Sequence, residues 1–191
     1  QRFLDNEFPH CIEMARAFVQ PKYQSAAGGR KALFALDNLW DGIGGLIATD
    51  PTVKYLSGKV TIYSTSPEMS RKAMVYYLDM SFGDREGLIT SKNPETCTPE
   101  QAAFFKELFT GADYKENYAI LNNYVKSLGD SIPPFIHLYI GLSPTMKTFG
   151  TTFDPDFGDC YDTAMIITTD DIYPDKYKRY VESYEKCKVR K

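Results

Sequence analysis

Apolar residues alternate with polar ones early in the chain and recur at helical spacing further on. Residues 11–19 alternate well enough for a strand, which Pro21 ends because proline cannot donate to a sheet ladder. From Gly29 to about Ile47 the apolar positions follow the spacing of a helix. Glycines at 42, 44 and 45 inside this helix predict either close approach by another element or an early helix end.

The same patterns predict the elements of the remaining chain. Ser66 and Pro67 are typical of a helix N-cap and first helical position, and Thr98–Gln101 of a second helix start. The predicted strands are 59–64, 148–153 and 163–169, and the predicted helices are 68–82, 99–109, 114–128 and 174–186. Residues 1–8 are expected to be irregular, and an apolar segment covers 135–142. Strands alternating with helices predict an α/β (α+β) fold in which helices pack on a central sheet.

Composition limits the classes of protein that this chain can represent. The 191 residues, 43% hydrophobic and 14% aromatic, suit one domain over 1–191, with a helical insertion at about 99–129. A net charge of -3 argues against nucleic acid as a partner. No apolar run is long enough for a membrane span. Four scattered cysteines and two histidines predict no metal site, and we expect a reducing, cytoplasmic setting.

The segment between the first strand and the helix is rich in small residues. It fits the phosphate-binding pattern Q/R-x-x-G-x-G/A, with Ala27 in place of the first glycine. Arg30 and Lys31 add positive charge at the start of the helix. An ordinary turn before a helix explains the same residues. The segment comprises Gln24, Ser25, Ala26, Ala27, Gly28 and Gly29.

Glu13 is the first candidate for acid–base chemistry. It lies among Ile12, Met14 and Ala15, and burial in such surroundings would raise its pKa and suit a general base. The alternative is an exposed strand carboxylate that pairs with Arg16 and contributes little. The residues alone leave both interpretations open.

Glu13-Met14-Ala15-Arg16, followed by the segment 24–29, resembles the GNAT acyltransferase superfamily. More specifically, the chain is similar to the hemolysin-like branch that N-acylates amino acids to make ornithine- and glycine-type lipids. The resemblance runs in order over about residues 9–172. Further matching stretches are 39–44, 55–60, 132–135, 149–151 and 154–159.

The resemblance implies a donor and a set of donor contacts. An acyl-phosphopantetheine thioester would be a co-substrate, with no permanently bound cofactor. Its arm would run along the strand that contains Phe18 and Val19, and its phosphates would bind the segment 24–29 together with Arg30. Glu13 would take a proton from the amine, and Arg16 would orient Glu13 or contact the carrier. Because Ala27 replaces a glycine, acyl carrier protein is favoured over CoA as the donor.

The resemblance also implies an acceptor site and a product. Asp154 and Asp156 would recognise the ammonium group of an amino-acid acceptor, although a tight Asp-Pro turn explains them equally. The product would be an aminolipid, made by a protein at the inner face of the cytoplasmic membrane. Two alternatives are a non-catalytic GNAT-like module that binds an acyl carrier or a partner chain, and a small-acyl (acetyl-CoA) N-acetyltransferase.

The GNAT fold has further strands before the one that contains Glu13. The resemblance therefore implies that the N-terminal strands are missing from this chain. A second chain or a missing N-terminal segment is expected to complete the sheet, because an open strand edge invites pairing.

Overall fold

The computed structural model describes residues 1–16, 19–21 and 35–184, and from residue 38 the side chains of the helix that begins at Ala35. The helices are α1 (Arg2–Asn6), α2 (Ala35–Thr49), α3 (Glu68–Phe82), α4 (Pro99–Leu108), α5 (Tyr114–Ser127), α6 (Pro134–Ile140) and α7 (Pro174–Tyr180). The strands are β1 (Cys11–Met14), β2 (Tyr55–Tyr63), β3 (Lys147–Asp154) and β4 (Cys160–Thr168). Single 3-10 turns cover Phe8–His10, Pro155–Phe157 and Thr169–Asp171.

The four strands form one mixed sheet in the order β1-β2-β4-β3. β1 and β2 run parallel, whereas β4 pairs antiparallel with both β2 and β3. Helices pack on the sheet, as the alternation of elements predicts. The predicted fold class is confirmed, and the arrangement is consistent with a GNAT-like α+β fold.

The hydrophobic core lies between one face of the sheet and the helices. Leu56, Val60 and Ile62 alternate along β2 and are at most 2% exposed, so this face of the strand points into the core. Tyr77 of α3 is fully buried, and its hydroxyl donates a hydrogen bond to the carbonyl oxygen of Tyr114 at 2.9 Å. The opposite face of β2 presents Lys59 and other half-exposed or exposed residues.

The helices of the predicted insertion pack against α3. Phe105 is fully buried, and the ring of Phe109 stacks on Tyr76 with centroids 5.9 Å apart and an interplanar angle of 8°. Leu121 and Val125 bury the inner face of α5 in the same core. The region between 99 and 129 therefore packs against α3 and contributes side chains to the core.

Most predicted element boundaries agree with the structure within a few residues, and the capping box of α4 is present. The Gln101 amide donates to Thr98 Oγ1 at 3.2 Å, and the Thr98 amide donates to Gln101 Oε1 at 2.9 Å. The predicted cap of α3 is wrong in detail: Pro67 is the N-cap residue and no side chain caps the helix. The Ser66 carbonyl instead accepts a hydrogen bond from Arg71 at 3.2 Å.

Three strand and terminus predictions differ from the structure. The strand predicted over 11–19 ends at Met14, because Arg16 turns the chain with a φ of 56°. β2 begins at Tyr55, four residues earlier than its β-branched run indicates, because Tyr55–Gly58 pair with strands on both sides. Residues 2–6, expected to be irregular, form the short helix α1.

Gly44 lies where another helix approaches α2 closely. α2 does not end at its glycines but continues to Thr49. A Cβ atom on Gly44 would lie 2.0 Å from the carbonyl oxygen of Tyr180, so glycine lets the backbones of α2 and α7 touch. A Cβ atom on Gly42, two residues earlier, would have no neighbouring atom within 4 Å. The first of the two predicted explanations is therefore confirmed at Gly44.

Gly44→Ala is expected to lower the free energy of unfolding by about 1–3 kcal/mol, because the new methyl group must push the two helices apart. The matched control Gly42→Ala is expected to raise it by up to about 1 kcal/mol through better helix propensity. Urea denaturation measures both. Equal effects at the two positions would contradict the close contact between α2 and α7.

Candidate active site

β1 and β2 form a fork where their pairing stops. They pair over four residues, from Cys11 opposite Tyr55 to Met14 opposite Gly58. β1 then ends, whereas β2 continues to Tyr63. Arg16 adopts a left-handed backbone conformation, which costs a non-glycine residue about 1–2 kcal/mol and turns the chain away from β2. We call the region of Met14, Arg16, Gly58 and Lys59 the fork.

Glu13 lies next to the fork on the sheet face that points away from the core. It is directly opposite Ser57 in the ladder, and its side chain is exposed. Of the two interpretations left open by the sequence, the exposed strand carboxylate is the observed one, because strand alternation turns Ile12 and Met14 toward the core instead. Within the described ranges, no ion pair joins Glu13 to Arg16, although both are exposed at the fork. The Glu13 carboxylate is therefore accessible to a ligand.

The donor-binding residues expected from the sequence are mostly not covered by the structure. Phe18 and the residues Gln24, Ser25, Ala26, Ala27, Gly28, Gly29 and Arg30 lie outside the described residues. Val19 is described and half-buried. The predicted phosphate contacts therefore stay predictions.

Gly58 and Tyr139 meet on the core side of the fork. A Cβ atom on Gly58 would lie 2.4 Å from the Tyr139 hydroxyl and 3.5 Å from the carbonyl oxygen of Met14. Tyr139 is 4% exposed, and its ring packs edge-on against Trp40 at a centroid distance of 5.7 Å. Burial raises the pKa of Tyr139 to about 12, so its phenol is protonated at neutral pH. The absence of a side chain at residue 58 thus makes room for this hydroxyl beside the last β1–β2 pair.

Lys59 and Asp162 form an ion pair on the opposite face of the fork. Lys59 is the first residue of β2 beyond the ladder with β1, and its ammonium contacts Asp162 on β4. Thr61 donates a hydrogen bond to the other carboxylate oxygen of Asp162 at 2.6 Å. The Lys59 side chain is 51% exposed and that of Asp162 only 11%. The hydrogen bond to Asp162, with the nearby charges of Asp162 and Asp154, raises the pKa of Lys59.

The acidic hairpin between β3 and β4 lies further along the sheet. Asp154 accepts a hydrogen bond from the Asp156 amide at 3.1 Å and caps the 3-10 turn, so the turn interpretation accounts for its conformation. Asp154 lies level with Tyr63, six residues along β2 from Ser57, which is roughly 20 Å of strand from Glu13. Glu13 and Asp154 are therefore not neighbours. The hairpin reaches toward the fork through Phe157, whose ring centroid lies 4.9 Å from the Lys59 ammonium.

Sequence reasoning did not single out Gly58, Lys59, Tyr139 or Asp162. Glycine inside a strand is a known signal of close backbone approach, and it identifies Gly58 in retrospect. The alternation of β2 places Lys59 on the polar face, but its pairing with Asp162 spans 103 residues and depends on the register of two strands. No local pattern could have indicated that pair.

An apolar pocket lies beside the fork on the core side, between α2, β2 and α7. Its cavity volume is about 10 Å³, which is room for about one water molecule. Trp40, which packs against Tyr139, and Leu56, two residues before Gly58, belong to its walls. The half-buried Lys176 is a cationic residue in this lining. Tyr114, Tyr118 and Tyr124 pack against the core rather than line this pocket.

Cysteines and potential metal ligands form no cluster in the described part of the chain. Cys11, Cys97 and Cys160 are free thiols, and Cys187 lies outside that part. Among the same residues, no three or more His, Cys, Asp or Glu side chains are placed to hold a metal ion. Among the helices that the described residues form, none has the length and the apolar character needed to cross a bilayer.

The mixed sheet, its flanking helices and the fork between the parallel strands β1 and β2 define an α+β fold. Two curated proteins are similar to nearly the whole chain. The glycine N(alpha)-acyltransferase of Phocaeicola vulgatus is 42% identical over 184 residues, which are 96% of this chain and 56% of that protein. The glycine N(alpha)-acyltransferase of Bacteroides thetaiotaomicron is 42% identical over 185 residues, which are 95% of this chain and 54% of that protein. The chain thus spans about half the length of these curated relatives. No model of a known protein family matches the chain, and no solved structure matches it.

Gly58→Ala is expected to lower the free energy of unfolding by about 1–3 kcal/mol, because its methyl group meets the Tyr139 hydroxyl. Tyr139→Phe removes that oxygen, so the same glycine substitution should cost much less in the Tyr139→Phe background. A double-mutant cycle by chemical denaturation measures the coupling. An equal cost in both backgrounds would contradict the contact between residue 58 and the hydroxyl.

Proposed function

We propose that this chain is the main part of a GNAT-like N-acyltransferase that transfers a fatty acyl group from a thioester to the amine of an amino acid. The observation that carries the proposal is 42% identity, over 96% and 95% of the chain, to two proteins named glycine N(alpha)-acyltransferase. The fork between the parallel strands β1 and β2 supports it. Among the described residues, no strand pairs with this edge of β2 beyond Gly58, so its backbone groups can meet an extended ligand.

In this proposal, the reaction is direct attack of the amine on the thioester. The amine nitrogen forms a bond to the carbonyl carbon, and the carbon–sulfur bond then breaks. The amine's proton goes to Glu13, which then passes it to the departing thiolate. Backbone N–H groups at the fork would stabilise the oxyanion that forms in between. Glu13 suits the role of base because its carboxylate is accessible and lies one residue from the end of β1.

The remaining roles follow the same proposal. Arg16 orients Glu13 or contacts the carrier, since its left-handed conformation places it where β1 leaves the sheet. Phe18, Val19 and the segment from Gln24 to Arg30 bind the phosphopantetheine arm and its phosphates. Asp154 and Asp156, on the hairpin that reaches Lys59 through Phe157, attract the ammonium group of the acceptor as it approaches, before it binds beside Glu13.

The finer identity of the substrates belongs to the proposal as well. Glycine is the favoured acceptor, because it appears in the names of both relatives, and ornithine is the other acceptor to test. Acyl carrier protein is the favoured donor, the product is an aminolipid, and the enzyme works at the cytoplasmic face of the membrane. In this proposal, residues 1–191 form a single domain of the hemolysin-like branch. A further strand, from another segment or another chain, would pair with the outer edge of β1.

Glu13→Gln is expected to lower kcat for acyl transfer by about 10²–10⁴-fold, because the amine loses its proton acceptor. Glu107→Gln, an exposed carboxylate on α4, is the matched control and should behave as the parent.

Steady-state kinetics with acyl carrier protein thioesters and glycine measure both variants. Parent-like activity of a correctly folded Glu13→Gln protein would exclude Glu13 as the base. Absence of transfer by the parent protein to glycine and to ornithine would instead favour a non-catalytic binding module.

The parent protein is expected to use a long-chain acyl carrier protein thioester with a higher kcat/KM than the matching acyl-CoA. The physical reason is Ala27, whose methyl group limits how closely a nucleotide phosphate approaches the backbone. Ala27→Gly should therefore raise kcat/KM for acyl-CoA relative to the carrier-protein thioester. A parent preference for acetyl-CoA would contradict the long-chain assignment and favour a small-acyl N-acetyltransferase.

A further inference from the structure

The Tyr139 hydroxyl lies on the core side of the fork, directly against Gly58. A Cβ atom on Gly58 would lie 2.4 Å from this hydroxyl and 3.5 Å from the carbonyl oxygen of Met14. These two distances put the hydroxyl beside the end of β1, where the two parallel strands separate. Since Gly58 has no side chain, the hydroxyl reaches the backbone of β2 at this point.

Aromatic packing fixes the position of this hydroxyl. Tyr139 lies in α6 and is buried, and its ring packs edge-on against Trp40. The ring of Phe135, one turn earlier in α6, lies at a centroid distance of 6.4 Å. A donor that packing already holds in place needs no reorganisation when charge develops beside it.

The hydroxyl of Tyr139 makes no hydrogen bond to any residue that the structure describes. The buried Tyr77 differs, since its hydroxyl donates to the carbonyl oxygen of Tyr114 at 2.9 Å. A buried hydroxyl without a partner costs free energy, which a phenylalanine at residue 139 would avoid. The phenol oxygen is therefore a candidate to bind a ligand atom at the fork.

The reaction of the proposed function develops negative charge on this side of the fork. Glu13 lies on the outer face, so the amine that it deprotonates attacks the thioester carbon from that face. As the carbon becomes tetrahedral, its oxygen and sulfur bend away from the entering nitrogen and toward the core face. Tyr139 lies on the core face, where it can meet one of these two atoms.

Acidity favours the carbonyl oxygen over the sulfur as the partner of Tyr139. Burial raises the pKa of Tyr139 to about 12, whereas a thiol has a pKa of about 8.5, so proton transfer from the phenol to a thiolate is unfavourable by roughly three powers of ten. A phenol that keeps its proton can still donate a hydrogen bond. A carbonyl oxygen accepts such a bond more strongly as it becomes negative.

We propose that the Tyr139 hydroxyl donates a hydrogen bond to the thioester carbonyl oxygen and stabilises the oxyanion that forms there during acyl transfer. Tyr139 is then a catalytic residue that acts together with the backbone N–H groups at the fork. The phenol keeps its proton throughout, so the proton of the amine still passes through Glu13. The inference rests on the proposed function, because it adds a donor to the same acyl-transfer site.

Tyr139→Phe removes this hydroxyl and keeps the aromatic packing. Its kcat for transfer from an acyl carrier protein thioester to glycine is expected to be about 10²–10³-fold lower, the loss typical of one oxyanion donor. The KM values for the donor and for glycine should stay near those of the parent, because the hydrogen bond strengthens only in the transition state. The melting temperature should be no lower than that of the parent, since the removed hydroxyl has no partner among the described residues.

Tyr77→Phe is the matched control, because it removes the hydroxyl of another buried tyrosine. The ring of Tyr77 contacts Phe82, Phe109 and Tyr118 rather than residues of the fork. This variant should keep the parent kcat. Its melting temperature should fall, since the Tyr114 carbonyl oxygen loses a hydrogen bond.

A second acyl donor tests whether the hydroxyl acts on the oxygen or on the sulfur. In an aryl thioester with the same acyl chain, the thiolate leaves without needing a proton, so help to the leaving group is not required. The kcat/KM of Tyr139→Phe with this donor is expected to remain about 10²-fold or more below that of the parent, because the oxyanion still forms.

The outcomes separate this inference from the function on which it rests. A folded Tyr139→Phe protein with the parent kcat overturns the role of Tyr139, and a variant that does not fold contradicts the unpaired hydroxyl. A loss seen with the carrier-protein thioester but not with the aryl thioester also overturns it, because the hydroxyl would then serve the departing sulfur. The N-acyltransferase proposal stands in these cases. No transfer to glycine or ornithine by the parent protein overturns the proposed function itself.

Discussion

The pairing of β2 with a strand on each side is the constraint on which the rest of the structure depends. β2 pairs parallel with β1 over only four residues but antiparallel with β4 along all nine. The unequal lengths of the two ladders create the fork, because β2 remains held by β4 where β1 has left. Since strand residues alternate between faces, this pairing also sets which side chains enter the core and which remain accessible.

The two faces of the fork have different physical characters. On the core face, Gly58 gives room to the buried Tyr139, and the apolar pocket lies beside them. On the outer face lie Glu13 and the Lys59–Asp162 pair, all polar and at least partly accessible. The proposed reaction joins an apolar acyl chain to a charged acceptor, and these two groups have opposite solvation requirements.

Sequence patterns predicted the elements well where periodicity was long and the caps were clear. The bounds of α3 and the helix start at Thr98 are examples, since both depend on local chemistry. The predictions failed where long-range pairing overrode local preference. Tyr55–Gly58 are strand residues despite the serine and glycine among them, because neighbouring strands satisfy their backbone groups. β1, by contrast, ends early at Met14 because the chain turns at Arg16. Glu13 could be named from its motif, but its exposure could not.

The sequence alone determined the fold class and the order of the elements, because both depend on local periodicity, and it predicted a role for Glu13 from a short motif. Only the tertiary structure decided that Glu13 lies on the outer face, that Asp154 is distant from it, and that Asp162 fixes Lys59. These facts depend on strand register, and a register shift of one residue would turn every side chain to the other face. Contacts between residues far apart in the chain set that register.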